Sequence, residues 1–434
     1  MRTHHLSVKI ENKTARIGVL GLGYVGLPLA LEFSRNGFHV TGFEVREDLV
    51  RSLRRGLSHV ADVSSETVRD MTRAGRFHAT DRFEELRAQD VVIICVPTPL
   101  RKTREPDISF IRTAAKDIPK YLRRGQLVVL ESTTYPGTTR DLVLPWLERK
   151  GLRAGRDFYL AFSPERVDPA NKTYRIFNTP KVVGGLTPAC ADLACRLYSQ
   201  VVERVVPVSS AEAAEMVKLL ENTFRAVNIA LINEMALMCH RLGLDVWEII
   251  RAASTKPFGF MPFYPGPGIG GHCIPLDPQY LAWKMRSMNF DPRFIELAGV
   301  INRAMPKHVL HRIAEILNTH RKSLKGSRIL VLGVTYKADV SDVRESPALD
   351  VISLLRETGC EVAYHDPWAP SVQVDAVRMR SKPLSDALLK ACDLTAILTA
   401  HSAIDYRRVL KNSKAVFDTR NALAGMTSPR LFRL

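Results

Sequence analysis

A chain of 434 residues, 46% hydrophobic and 25% charged, has the composition of a soluble globular protein with room for about three domains. No apolar run approaches the ~18 residues of a membrane span, and residues 1–14 lack an apolar signal core, so they read as a polar tail on a cytoplasmic protein without membrane contact. The net charge of +17 favours anionic ligands, but the cations are dispersed in short groups with acids between them, and no nucleic-acid motif or metal-ligand spacing of the seven cysteines appears.

Arg16 to Gly21 reads as a short buried strand running into Gly21-Leu-Gly23-Tyr24-Val25-Gly26 and an apolar helical segment from Leu27 to Asn36. Strand before and helix after is the context a GxGxxG turn needs to bind a dinucleotide, and Glu44, closing the next strand from His39, supplies the ribose acid. Gly21 allows the tight turn, Gly23 the approach of a pyrophosphate, and Gly26 the packing of helix on strand. A carboxylate at Glu44 favours NAD, whereas Arg46 beside it is a cation that would suit the 2′-phosphate of NADP.

Further strands are expected at Asp90–Val96, Gln126–Glu131, Phe158–Phe162, Lys181–Gly184 and Arg204–Val208, in alternation with helices. Their near-continuous apolar runs are the pattern of a parallel sheet covered on both faces. Such sheets bind ligands at the carboxyl ends of their strands, here Val96-Pro-Thr98-Pro99, Glu131-Ser-Thr133-Thr134 and Ser163-Pro-Glu165-Arg166. For any one of these threonines a strand-end cap is the plainer reading, and Glu165 is the strongest site residue among them.

Ser210 to Leu242 contains neither proline nor glycine and reads as one long helix, with Lys218 and Asn222 a turn apart on one face. Apolar on more than one side, it is a natural dimer element. After it, Tyr264 to Gly271 holds four glycines and two prolines, and this loop delivers Cys273 with Asp277 a turn later, if a helix starts at Pro275. The pairing suggests a nucleophile with a neighbouring acid; a buried structural cysteine in a turn is the plainer alternative.

A second α/β alternation runs from Ser327 to Asp418, with strands at 327–333, 361–365, 394–399 and 415–418 and a helix from Pro347. Without a full GxGxxG it suits part of a nucleotide, and Lys337, Arg344 and Arg420 near its strand ends suit phosphate oxygens.

The ordered motifs GLGYVG, VPTP, STTYPGT, SPER, AEMVKLLENTFRA, GPGIGGHCIPLD, GVTYKADVSDVRESP and FDTRNAL resemble those of the UDP-sugar 6-dehydrogenases, from about Arg16 to near the end. The resemblance implies two doubly wound Rossmann-like domains joined by a long central helix. An NAD domain would occupy residues 15–208, a central linker and dimerisation domain 209–320, and a UDP domain 321–434, in a homodimer or larger homo-oligomer. It implies that Cys273 is the nucleophile, with Lys218, Asn222 and Asp277 around it and Glu165 and Thr133 placing or activating water. It assigns cofactor contacts to Gly21, Gly23, Tyr24, Val25, Gly26, Glu44, Thr98, Thr133 and Arg344. Sugar-nucleotide contacts fall to Glu165, Arg166, Lys218, Asn222, Tyr264, Gly266, Gly268, Gly270, Tyr336, Lys337 and Arg420.

Within the family, SPERVDPAN and CIPLD resemble the UDP-N-acetylglucosamine branch, with UDP-N-acetylmannosamine or UDP-glucose as alternative substrates. Two positions depart from the family pattern: Glu44 stands where aspartate is usual, and Leu49 where a basic residue is common. A single-step hydroxy-acid-type dehydrogenase needs no cysteine, so the Cys273 loop argues against it; a non-enzymatic polyanion binder rests on net charge alone.

Overall fold

A computed structural model describes residues 2–434 except 61, 100–104, 167–170 and 172. The end of the SPERVDPAN motif, at 167–170, therefore lies outside the described residues. The chain forms two compact units, one of Met1–Glu221 with Gln279–Asn289 and one of Asn222–Pro278 with Phe290–Leu434. The expected central segment, 209–320, has residues in both.

The first unit is built on an eight-stranded sheet: β1 (Arg16–Leu20), β2 (His39–Phe43), β3 (Phe77–Thr80), β4 (Val91–Ile94), β5 (Leu127–Leu130), β6 (Tyr159–Phe162), β7 (Lys181–Gly185) and β8 (Val205–Val208). Their spatial order is β3-β2-β1-β4-β5-β6-β7-β8, which places the topological switch between β1 and β4, where the glycine-rich turn leaves β1. β1, β4, β5 and β6 are apolar nearly throughout because helices cover both faces. The short β3, with His78 exposed, gave no comparable apolar run.

Two sequence expectations are corrected in this unit. The sheet is not parallel throughout: β6 pairs with β7 antiparallel, Phe162 opposite Gly184, while β7 and β8 run parallel to each other. Nor are residues 1–14 a polar tail, because Arg2–Glu11 forms a helix whose Leu6 and Ile10 enter the core beside Ile17 and Phe33. Those two apolar residues stand four apart, which puts them on one face of a single short helix. Lys9 fastens the helix through Asp90 at 3.0 Å, and Asp90 also accepts from Arg123 at 2.7 Å.

The second unit holds an all-parallel sheet of β9 (Arg328–Leu332), β10 (Glu361–His365), β13 (Leu394–Ile397), β14 (Val416–Asp418) and β15 (Leu431–Arg433), in the order β10-β9-β13-β14-β15. A separate hairpin of β11 (Ser371–Val374) and β12 (Val377–Arg380) and the edge strand β15 were not expected. The helix Pro347–Glu357 begins at the expected proline. The helix after Cys273 starts at Asp277 rather than Pro275, because residues 273–277 first close a turn in which Asp277 N–H donates to the Cys273 carbonyl at 2.8 Å. The central helix is one continuous element, Ala211–Leu242.

Candidate active site

At the end of β1, Gly21 takes a φ of +87°, and a Cβ there would stand 2.7 Å from the Cys95 carbonyl oxygen. A Cβ on Gly26 would stand 1.9 Å from the Gly21 carbonyl oxygen, so the helix Gly26–Arg35 reaches its strand only without a side chain. Among the described residues, nothing lies within 4 Å of the Cβ position at Gly23, which leaves the backbone open to an incoming group. Glu44 is oriented by two backbone donors, Leu22 N–H at 3.1 Å and Arg46 N–H at 3.2 Å. The Arg46 guanidinium is engaged by Asp48 at 2.6 Å, a partner that competes with any 2′-phosphate. This cradle suits a dinucleotide with free ribose hydroxyls, its pyrophosphate at the helix N-terminus. Tyr24 is exposed, Val25 precedes the helix, and Thr133 lies half-buried past β5. Thr98 is half-buried past β4, its carbonyl accepting from the Tyr280 hydroxyl.

Past β5 and β6, and at the start of β7, lies a buried charge cluster. Because β7 runs against β6, its first residue Lys181 stands at the same sheet edge as Glu131 and Glu165. The Lys181 ammonium pairs with Glu131 Oε1 and lies 3.6 Å from Glu165 Oε2. Glu165 Oε1 accepts from Arg166 N–H at 2.8 Å, and Cys95 Sγ lies 3.7 Å from Glu131 Oε2. Burial pushes the carboxyl of Glu131 up, opposed by Lys181. The same burial, with Glu131 beside it, pushes the Cys95 thiol far up, so this cysteine is an inert neutral group.

On the central helix, Lys218 Nζ donates to the Glu165 carbonyl at 2.5 Å. Arg166 is held by Glu221 at 2.5 Å and by the Pro180 carbonyl at 2.6 Å. A turn before Lys218, the fully buried Glu215 accepts from Gly137 N–H at 2.6 Å, Thr139 N–H at 2.9 Å and the Thr139 hydroxyl at 2.7 Å. Burial raises its carboxyl to about 7 despite those donors. Neither Lys181 nor Glu215 was singled out in the sequence. Lys181 reads as a strand-start lysine when the strands are taken as parallel, and nothing local marks Glu215.

In the second unit, Asn222 Nδ2 donates to Asp277 Oδ2 at 2.5 Å, with both residues buried. Asp277 thus links the central helix to the turn that Cys273 opens, and Cys273 itself is half-exposed. The glycines before Cys273 approach the chain's own residues. A Cβ on Gly266 would meet Arg420 Nη1 at 2.3 Å, on Gly268 Pro347 Cβ at 3.0 Å, and on Gly270 Tyr336 Cβ at 2.7 Å. Asn233 accepts from Gly266 N–H at 3.0 Å. Tyr264 is exposed and stacks on Trp247 with centroids 6.2 Å apart.

Arg420 donates through Nε to the Leu398 carbonyl at 2.8 Å, and burial lowers its guanidinium to about 10, still a cation at neutral pH. The loop carrying Tyr336 and Lys337 is braced by Asp366, which accepts from Val334 N–H at 2.7 Å and lies 3.0 Å from His401 Nε2. Arg344 is clasped by Asp342, with Nη2 at 2.6 Å from its carboxylate and 3.2 Å from His272 Nδ1.

Three family models match the chain in order: the NAD-binding domain of the UDP-glucose/GDP-mannose dehydrogenase family over residues 15–202, its central domain over 212–304 and its UDP-binding domain over 330–425. A UDP-N-acetyl-D-glucosamine 6-dehydrogenase of Pseudomonas aeruginosa is 37% identical over 82% of this chain and 83% of its own. The chain belongs to this family. As a UDP-sugar dehydrogenase it uses NAD, and the open backbone at Gly23 with the oriented Glu44 fits that cofactor. A UDP-N-acetyl-D-mannosamine dehydrogenase of Pyrococcus horikoshii is 36% identical over 94% of this chain and 96% of its own. The solved structure of the UDP-D-ManNAc dehydrogenase from that organism superposes with a TM-score of 0.88 at 34% identity, over 96% of this dehydrogenase and 98% of that chain. Among the described residues, no helix of the UDP-sugar dehydrogenase is long and apolar enough to cross a membrane.

Proposed function

We propose that this dehydrogenase oxidises the C6 alcohol of a UDP-N-acetylhexosamine, UDP-N-acetylglucosamine foremost, to the uronic acid through a thioester on Cys273. The observation that carries the reading is the buried Asp277, held by Asn222 and fixed to the turn that Cys273 opens. NAD, when bound, accepts a hydride in each of the two oxidations. The Cys273 thiolate adds to the C6 aldehyde carbon, and the Lys218 ammonium stabilises the resulting oxyanion. Loss of the second hydride leaves the acyl group on Cys273 Sγ. Glu165 or Asp277 then takes a proton from the water that attacks this carbonyl, expelling the thiolate and releasing the acid. Thr133 helps to place that water. The glycine-rich turn with Glu44 and the residues Thr98, Thr133 and Arg344 serve the cofactor. Arg166, Tyr264 to Gly270, Tyr336, Lys337 and Arg420 serve the sugar nucleotide.

UDP-N-acetylmannosamine is the second reading, favoured by the longer coverage of the Pyrococcus relative and its structure. Incubation with NAD and a panel of UDP-sugars decides between them. Two NADH per UDP-N-acetylglucosamine consumed, with a uronate product, is the expected result; the same yield from UDP-N-acetylmannosamine alone establishes the second reading, and one NADH with free aldehyde overturns the thioester scheme. A homo-oligomer is part of the reading, supported by the exposed stripe Phe224, Leu231, Met238 and Leu242 along the central helix. Sedimentation of a Leu231→Glu variant as a monomer, against a larger parent, tests it.

A further inference from the structure

We propose that Lys181 is a positioning residue that divides one buried positive charge between Glu131 and Glu165, and thereby sets the orientation and the proton affinity of the Glu165 carboxylate. The inference rests on the proposed role of Glu165 in activating water. Its basis is the reversal of β7, which brings a lysine from the start of one strand to the carboxyl ends of its neighbours. The Lys181 side chain is 7% exposed, Glu131 is 0% and Glu165 13%, so water screens little of the interaction. Two carboxylates face one ammonium. Glu131 takes the short contact, and Glu165 is held 3.6 Å away on Oε2 while the Arg166 N–H fixes Oε1.

Among the described residues, the other charged or titratable groups close to the cluster have partners of their own or are neutral. Cys95 lies on the far side of Glu131, and the Tyr198 ring packs 5.2 Å from the ammonium. Lys218 contacts the backbone of Glu165, and Arg166 turns its guanidinium to Glu221. The carboxylate that must be ionised to accept a proton from water is therefore tuned by how much of Lys181 its competitor leaves to it.

This competition predicts shifts of opposite sign. Glu131→Gln removes the competing anion, so Lys181 turns more fully to Glu165 and the acidic limb of acid release moves to lower pH by about 1 unit. Glu131→Gln combined with Lys181→Met removes both charges while leaving the net charge of the site unchanged, and moves the limb to higher pH by about 1–3 units. Lys181→Arg keeps the cation and holds the limb near its original position. The readout is acid release in single turnovers between pH 5 and 9, with thermal melting of each variant to confirm folding. Limbs that coincide, or that move in the same direction, overturn the proposal; should the double variant not fold, an unmoved limb in Glu131→Gln alone does so. Glu165→Gln separates the two levels: if it releases acid at the parental rate, the role of Glu165 itself falls, whereas a dead Glu165→Gln beside unmoved limbs removes only the role of Lys181.

Discussion

Asn222→Asp is the substitution that most directly interrogates the buried amide beside the reactive loop. It exchanges a donor for an acceptor 2.5 Å from Asp277 Oδ2, where the two residues are 6% and 2% exposed. Two carboxylates about 4 Å apart at an effective dielectric of 20 repel by about 4 kcal/mol, equivalent to about 3 pKa units. The pair therefore keeps one proton well above the usual carboxylate range, and that shared proton restores a donor. A group whose folded pKa is raised above its unfolded value contributes stability that is complete below the unfolded pKa and lost as pH rises through the folded one. Asn222→Asp should accordingly approach the parent in stability near pH 4 and fall behind it by several kcal/mol near pH 8. Urea denaturation of both proteins across that range measures the difference. A gap that stays constant between pH 4 and 8 would refute the assignment of a direct amide–carboxylate bond.

Cys273→Ala leaves no atom to carry the acyl group, so uronate should vanish while the first oxidation persists; uronate formed at the parental rate sinks the covalent scheme. Gly26→Ala drives a Cβ to 1.9 Å from the Gly21 carbonyl oxygen, a backbone atom with no room to retreat, and should weaken NAD binding at least about tenfold by titration. Unchanged affinity would show that the turn does not hold the cofactor. Ile10→Ala removes a fully buried side chain from the N-terminal helix and should cost about 2–5 kcal/mol in denaturant unfolding; a loss below about 0.5 kcal/mol means the helix is not part of the core. Glu215, raised from 4.5 to about 7 by burial, contributes stability that is complete below pH 4.5 and lost as pH rises through 7, at most about 3 kcal/mol. The stability of Glu215→Gln should therefore improve relative to the parent between pH 5 and 8, and a flat difference contradicts the raised carboxyl.

Much of the fold could be read because its signals are local. A buried parallel strand needs a short, mostly apolar run of four or five residues, and β1, β4, β5, β6, β9 and β13 each supply one, with glycine or proline close behind β1, β4, β6 and β9. The long helix could be read from 32 residues free of proline and glycine. What escaped was set by tertiary placement. β3 carries only Phe77, Ala79 and Thr80 inward, too short a pattern to stand out. The N-terminal helix has a net polar composition, and only docking makes Leu6 and Ile10 core residues.

The candidate site divides along the same line. Glycines announce themselves, because their spacing reports a backbone that must come close to something, but not what it comes close to. At Gly21 the neighbour is the Cys95 backbone past β4, at Gly26 it is the turn itself, and at Gly266, Gly268 and Gly270 it is Arg420, Pro347 and Tyr336 of the same chain. The lysine between Glu131 and Glu165 has no comparable signature. Its position depends on the direction of one strand, and Lys-Val-Val-Gly-Gly has the same apolar run whichever way it lies in the sheet. Only the pairing of Phe162 with Gly184 fixes that direction, carrying Lys181 from the amino edge, where its charge would have met water, to the carboxyl edge beside two acids. Its burial, its two partners and its proposed effect on catalysis all follow from that reversal.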